Sequence, residues 1–243
     1  MPACNLLALE TSTERLSLAI LLGDRVFARE VDAGQRHSEL ALPLMYELLN
    51  EAKTTLADLD VIAFGQGPGS FTGVRIACGL TQGLALGLDK RVVPVPTQMA
   101  LAEQCGAMKV IVALDARMGE IYFAAYDRSD DATGWTAAIA PMLVKPDALP
   151  ALDGGEWCGI GSGFDVPALA GHLSDHYGSQ IGRIATQALP SARDVATIAS
   201  RQLAKRGMEC AQLPENAVPL YLRNKVAMTI AERAAHQLKK AAA

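Results

Sequence analysis

The stretch Val61-Ile62-Ala63-Phe64-Gly65-Gln66-Gly67-Pro68-Gly69-Ser70-Phe71-Thr72-Gly73-Val74-Arg75 carries the reading of the fold. A short buried strand enters a glycine-rich turn, and a helical pattern leaves it towards Leu88. This order brings backbone N–H groups together at a helix start, where an anion can be held. The run is not a Walker loop, because no Gly-Lys-Ser/Thr follows and Pro68 removes one donor. The Rossmann spacing fails as well, with Ser70 where a third glycine belongs. Two readings follow: an anion site, or a tight strand-to-helix connection. The helix beyond carries Gly79, Gly83 and Gly87 on one stripe, each costing about 1 kcal/mol relative to Ala. Close approach of another backbone would compensate, whether from the chain's own sheet or from a partner helix.

Upstream, Asn5 to Leu9, Leu16 to Leu22 and Arg25 to Val31 read as strands, with Gly23-Asp24 as a hairpin turn. A helical pattern follows to about Lys53, with Ser38 as its cap. In it Leu40, Leu44 and Leu48 lie on one side and Leu42, Met45 and Leu49 on another, an arc wider than one core face requires. Such a helix is either buried on two sides within the fold or packed on its sheet and on a partner. Downstream come a strand at Val92–Val95 and a helix from Thr97 to Cys105. The pattern then restarts: strand Val110–Leu114, turn Asp115–Gly119, returning strand to Tyr126. Strands at Trp135–Val144 and Trp157–Ile160 and helices near 166–177 and 192–206 complete it. The economical reading is two α/β lobes, 1–105 and 106–223, each led by a β-hairpin. An Ala/Lys-rich tail, 224–243, either forms a helix or frays.

The 243 residues are 50% hydrophobic and 20% charged, enough for a sizeable core. Lys and Arg number 22 against 26 Asp and Glu, so the net charge is −4. That balance disfavours binding RNA alone through its phosphates. The apolar runs are short and interrupted, so no membrane span and no secretory signal is expected. Five scattered cysteines without C-x-x-C spacing suggest neither a zinc knuckle nor a disulfide framework, and a reduced, cytoplasmic setting is expected. His172 and His176 share a helix face, but Leu173 stands where a zincin needs Glu, and no third ligand is obvious. Glu10 and Asp115 occupy corresponding turns of the two lobes. They either hold a metal–nucleotide complex or cap their turns. The candidate vestigial nucleotide site comprises Glu10, Ser12, Thr13, Asp115, Arg117 and Gly119.

The run Gly67 to Ile76 resembles the signature of the TsaB family (older name YeaZ), bacterial proteins of tRNA threonylcarbamoyladenosine biosynthesis. Leu9-Glu10-Thr11-Ser12-Thr13, His37-Ser38-Glu39, Asp115 to Tyr122 and Pro219-Leu220-Tyr221-Leu222-Arg223 resemble it in order and spacing. The resemblance implies the actin-like ATPase (ASKHA) fold with two related lobes. It also implies a subunit that is not an enzyme by itself, a scaffold or activator that binds TsaD. The complex then transfers a threonylcarbamoyl group to adenosine 37 of tRNAs reading ANN codons. TsaD holds a metal through a His-x-x-x-His motif after a strand ending in Pro-Val. The comparable stretch here, Val93 to Leu101, has no histidine, and Thr, Met and Leu cannot replace imidazole.

Expected, therefore, are no catalytic residue, no metal and no cofactor in the isolated chain, with ATP/ADP and metal on partner subunits. The implied partners are a TsaD-like catalytic subunit, a TsaE-like ATPase and, when alone, a second copy of this chain. tRNA would be met only through the complex. The family pairs through N-lobe helices, which puts the expected interface on His37, Leu42, Met45, Leu49, Ser70, Phe71, Val74, Gly79 and Gly83. The competing class is an enzyme of the actin-like fold, either a glycoprotease-type metallopeptidase or a small-molecule kinase. A third reading is a stand-alone homodimer.

Overall fold

Alternation along the first strand sorts the molecule into layers. In the computed structural model, which describes residues 4–223, Leu7 and Leu9 of β1 (Leu6–Glu10) enter one core, and Leu6 and Ala8 enter another. A strand buried on both faces needs cover on both, and the chain supplies it with helices. β1 is the centre of a sheet with β2 (Arg15–Leu22), β3 (Arg25–Asp32), β4 (Val61–Gly65) and β5 (Arg91–Val95), in the order β3-β2-β1-β4-β5. The hairpin strands pair antiparallel, and β4 and β5 add in parallel. α1 (His37–Ala52) and α2 (Phe71–Leu88) cover the outer face.

The second sheet repeats this plan. α3 (Thr97–Cys105) leads into β6 (Lys109–Asp115), β7 (Ile121–Arg128), β8 (Trp135–Val144), β9 (Trp157–Ile160) and β10 (Ile181–Ala185). The order is β8-β7-β6-β9-β10, with two antiparallel pairings and then two parallel ones. α4 (Pro167–Tyr177) covers the outer face, and α5 (Ala192–Arg206) follows β10. One element has no counterpart: where α1 joins β3 to β4, only a 3-10 turn, Pro146–Ala148, lies between β8 and β9. The result is two related α/β lobes, each led by a β-hairpin.

The helices cross the lobe boundary. α5 packs Val195, Ala196, Ile198 and Ala199 onto the inner face of the first sheet. α3 places Leu101 and Ala102 against β6, β7 and β9 of the second. The division at residue 105 thus separates the sheets but not the layers that cover them. β10 escapes sequence reading because it is a short edge strand holding Gly182 and Arg183, with no buried residue. The Ala/Lys-rich tail, 224–243, lies outside the described residues.

One expectation about a helix start needs correction. α1 begins at His37 with Arg36 as its cap residue, so Ser38 sits inside the first turn and caps nothing. Arg36 is fixed by its N–H donating to Ala33 O at 2.8 Å, a backbone turn that leaves no role for a side-chain cap. α2 is the one helix among the described residues that is membrane-like in length and composition, and it serves here as a core helix. Its 18 residues have a mean hydropathy of 1.2, long and apolar enough to cross a bilayer by length and composition. Its Gly73, Val74, Ala77, Cys78, Thr81 and Ala85 are buried in this fold.

One charge between the sheets carries a measurable cost. Asp194, in the first turn of α5, has its carboxyl pushed up from the usual 3.8 to about 7, by burial first and by Glu103 and Glu30 second. A carboxyl that binds its proton more tightly folded than unfolded loses stability as pH rises from about 4 to about 7. Asp194→Asn is therefore expected to raise stability by roughly 2 kcal/mol at pH 8 and by little at pH 4. Urea denaturation at both pH values checks this.

Candidate functional site

The glycine-rich turn is occupied by the chain's own hairpin. Ser70 N donates to Ser12 O at 2.7 Å, and Thr11 Oγ1 donates to Gly73 O at 2.7 Å. A Cβ on Gly73 would stand 2.0 Å from Thr11 O, one on Gly69 would stand 2.6 Å from Ser12, and one on Gly65 would stand 1.9 Å from Glu10 Oε2. These three glycines let the turn at residues 10–13 lie directly on the strand-to-helix connection. Ser70 caps α2, its side chain accepting from Gly73 N at 3.3 Å. Of the two readings of this loop, the tight connection is the one realised.

Glu10 is shut inside this contact. Its residue is 1% exposed, Oε1 accepts from Ser12 N at 2.6 Å, and Oε2 accepts from Thr97 Oγ1 at 2.9 Å. Burial pushes its carboxyl pKa upward, opposed by these hydrogen bonds. Ser12 is buried with its hydroxyl unpartnered, and Thr13 is half-buried, its Oγ1 accepting from Arg15 N at 3.3 Å. Both Glu10 oxygens are thus engaged within the fold, Oε1 by the N–H of its own turn and Oε2 by Thr97. Thr97 and Gln98, in the stretch comparable to the TsaD histidine motif, are fully buried, and their hydroxyl and amide groups do not form a metal-ligand set. Among the described residues, no group of three or more His, Cys, Asp or Glu side chains is placed to hold a metal.

The second lobe repeats the motif with a more open turn. Asp115 N donates to Ser162 Oγ at 3.0 Å, and Gly161 and Gly163 lie against Ala113. Asp115 caps its own turn, accepting from Arg117 N at 2.7 Å and from Arg117 Nη1 at 3.1 Å. Arg117 and Gly119 are exposed, both at positive φ. Gly119 also borders an open depression of about 430 Å³ lined by Met118, Glu120, Lys145, Pro146, Asp147 and His172, which Glu10 does not reach.

The Pro219–Arg223 segment straps the two turns together. Leu220 N donates to Gln66 O at 2.7 Å in the glycine-rich turn. Arg223 pairs with Glu120 and donates to Ala116 O at 3.1 Å in the second-lobe turn. Between them, Tyr221 and Phe71 flank the Arg75 guanidinium, 5.0 and 3.4 Å from the two ring centroids. Nothing in the local sequence pattern announced this strap, because its partners lie more than 100 residues away.

The expected interface residues fall into two groups. Met45 and Leu49 are 1% and 3% exposed, inside the first lobe's outer core, and Val74 and His37 are buried too. Met45 and Leu49 are therefore not on a second, free face of α1. The apolar arc is wide because α1 sets Ala41, Met45, Leu48 and Leu49 on the sheet while Leu40 and Leu44 pack alongside the same core. Exposed instead are Leu42 and Tyr46 on α1, and Ser70, Phe71, Gly79, Gly83, Leu86 and Gly87 at or on α2. Tyr46 and Leu86, 56% and 76% exposed, were missed, although Leu86 shares the stripe of Gly79 and Gly83.

The contact between Glu10 and Gly65 has a thermodynamic signature. Gly65→Ala drives a methyl into the Glu10 carboxylate and is expected to cost about 3 kcal/mol or more. Glu10→Ala strands the Ser12 N–H and the Thr97 hydroxyl and is expected to cost about 2–4 kcal/mol. Together they are expected to cost less than the sum, with a coupling above about 1 kcal/mol in a denaturant double-mutant cycle.

A family model described as TsaD, tRNA N6-adenosine threonylcarbamoyltransferase, matches residues 30–231. The tRNA threonylcarbamoyladenosine biosynthesis protein TsaB of Escherichia coli is 36% identical over 229 residues, 91% of this chain and 96% of that protein. The protein of the same name from Haemophilus influenzae is 33% identical over 241 residues, 93% of this chain and 96% of that protein. A Pseudomonas aeruginosa crystal structure, described as an uncharacterized protein similar to peptidase YeaZ, superposes with a TM-score of 0.81 at 34% identity. That superposition covers 90% of this chain and 100% of the other. By the length and identity of these matches, the chain belongs to the TsaB (YeaZ) family.

Proposed function

We propose that this chain is a non-catalytic subunit of tRNA threonylcarbamoyladenosine formation, one that binds and supports a TsaD-like transferase through the outward face of α1 and α2. The observation that carries the reading is the glycine stripe. A Cβ added at Gly79, Gly83 or Gly87 would meet nothing within 4 Å, so no packing within the described residues calls for a glycine there. Each still costs the helix about 1 kcal/mol. The compensation is a helix from another chain, brought close by the missing side chains. The stripe carries no charge: Thr72, Ile76, Gly79, Gly83, Leu86 and Gly87 form it, and Arg75 on its flank is engaged by Phe71 and Tyr221. A solvent-facing helix of a monomer would normally bear charges on that face.

The same surface serves self-pairing when the partner is absent. The burial of Glu10, and of Thr97 where a metal-binding relative places histidine, supports a chain that leaves the transfer chemistry to its partner. The net charge of −4 supports contact with tRNA only through the complex, and a TsaE-like ATPase supplies nucleotide turnover. The enzyme readings, a metallopeptidase or a kinase of this fold, find no open catalytic group in the Glu10 turn.

The double variant Gly79→Ala/Gly83→Ala separates the roles. It is expected to raise the stability of the monomer by about 1–2 kcal/mol. It is also expected to weaken association with a TsaD-like subunit and with itself by at least about tenfold. Thermal denaturation and sedimentation velocity measure the two effects. A more stable monomer with undiminished association would place the interface elsewhere.

A further inference from the structure

Two of the five cysteines meet in space although they are 53 residues apart in sequence. Cys105 is the last residue of α3, and Cys158 lies in β9, between Val110 of β6 and Arg183 of β10. Their sulfurs are 2.7 Å apart, closer than two non-bonded sulfurs ordinarily sit and about 0.7 Å from the length of an S–S bond. Cys158 is buried, while Cys105 keeps an intermediate exposure that a small reagent can reach. Arg183 Nη2 donates to Cys105 O at 2.9 Å and stands 3.8 Å from Cys105 Sγ. Burial and the adjoining Cys158 push the Cys105 thiol up to about 11 against the opposing pull of Arg183, so the attacking thiolate forms more readily as pH rises. The remaining cysteines pack elsewhere: Cys78 in the outer core of the first lobe, Cys4 and Cys210 beside its inner core.

We infer that Cys105 and Cys158 form a reversible thiol–disulfide site, oxidised by a small-molecule disulfide. In the first step the Cys105 thiolate attacks one sulfur of the reagent, breaking its S–S bond, forming a mixed disulfide and releasing one thiolate. In the second, the Cys158 sulfur attacks Cys105 Sγ and expels the other thiolate. Its proton passes to that leaving group or to solvent. Two cysteine thiols are oxidised and one reagent disulfide is reduced to two thiols. The new bond ties the C-terminal end of α3 to β9, the strand between β6 and the edge strand β10. Because α3 lies in the layer between the two sheets, the bond braces that layer.

The test treats the full chain with oxidised glutathione, follows it with a thiol reductant, and counts free thiols by a chromogenic reagent in denaturant. The expected count falls from five to three and returns to five on reduction. The expected intact mass drops by about 2 Da on oxidation. Peptide mapping without reduction is expected to recover the Cys105 and Cys158 peptides joined, and the melting temperature to rise by roughly 5 °C or more. Cys105→Ser, read by the same count, is expected to keep its four thiols. Five thiols surviving the oxidant, glutathione left on Cys105, or a bond confined to the other cysteines would each overturn the inference.

Discussion

The structure depends on one backbone contact, the turn at residues 10–13 pressed into the glycine-rich turn at residues 65–73. The contact joins the ends of β1 and β4, neighbours at the centre of the first sheet, to the start of α2. It leaves no room for a Cβ at Gly65, Gly69 or Gly73, so sequence freedom at those positions is spent on proximity. Everything outward of it follows in order. The cap at Ser70 starts α2, α2 and α1 roof the sheet, and the faces they turn outward are set by which residues the sheet takes inward.

The layer plan was legible because it rests on periodicity. Strands buried on both faces, a hairpin at Gly23-Asp24 and the restart at Val110 are all local signals, and the two sheets repeat the same order. The exchange of α3 and α5 between lobes was not legible, since it depends on contacts far apart in sequence. The misjudged face of α1 has a simpler cause. An apolar arc spanning Leu40 to Leu49 shows that the helix is buried widely, but not which part of the arc meets the sheet. The structure turns Met45 and Leu49 inward and leaves Leu42 and Tyr46 out.

The glycines illustrate both the reach and the limit of the sequence. Counted alike, Gly65, Gly69, Gly73, Gly79, Gly83 and Gly87 form one glycine-rich region. Their surroundings split them in two: the first three are pinned by the 10–13 turn, and the last three face open space. A helix that gives up propensity on an exposed, uncharged stripe is poorly explained by its own fold. The proposed partner role rests on that split. The second lobe, which lacks a counterpart of α1, shows how the same sheet plan looks without this two-helix roof.

The central claim is that the chain acts by binding and leaves the chemistry to its partner. Its most direct test is the rate of threonylcarbamoyl transfer to tRNA in a mixture reconstituted from TsaD-like and TsaE-like subunits and this chain. The chain would carry Asp115→Asn and Arg117→Ala, which remove the ion pair of the second-lobe turn. The account predicts a rate within about twofold of the unaltered chain. A fall of about 100-fold or more, with the folded chain still bound to its partner, would contradict it.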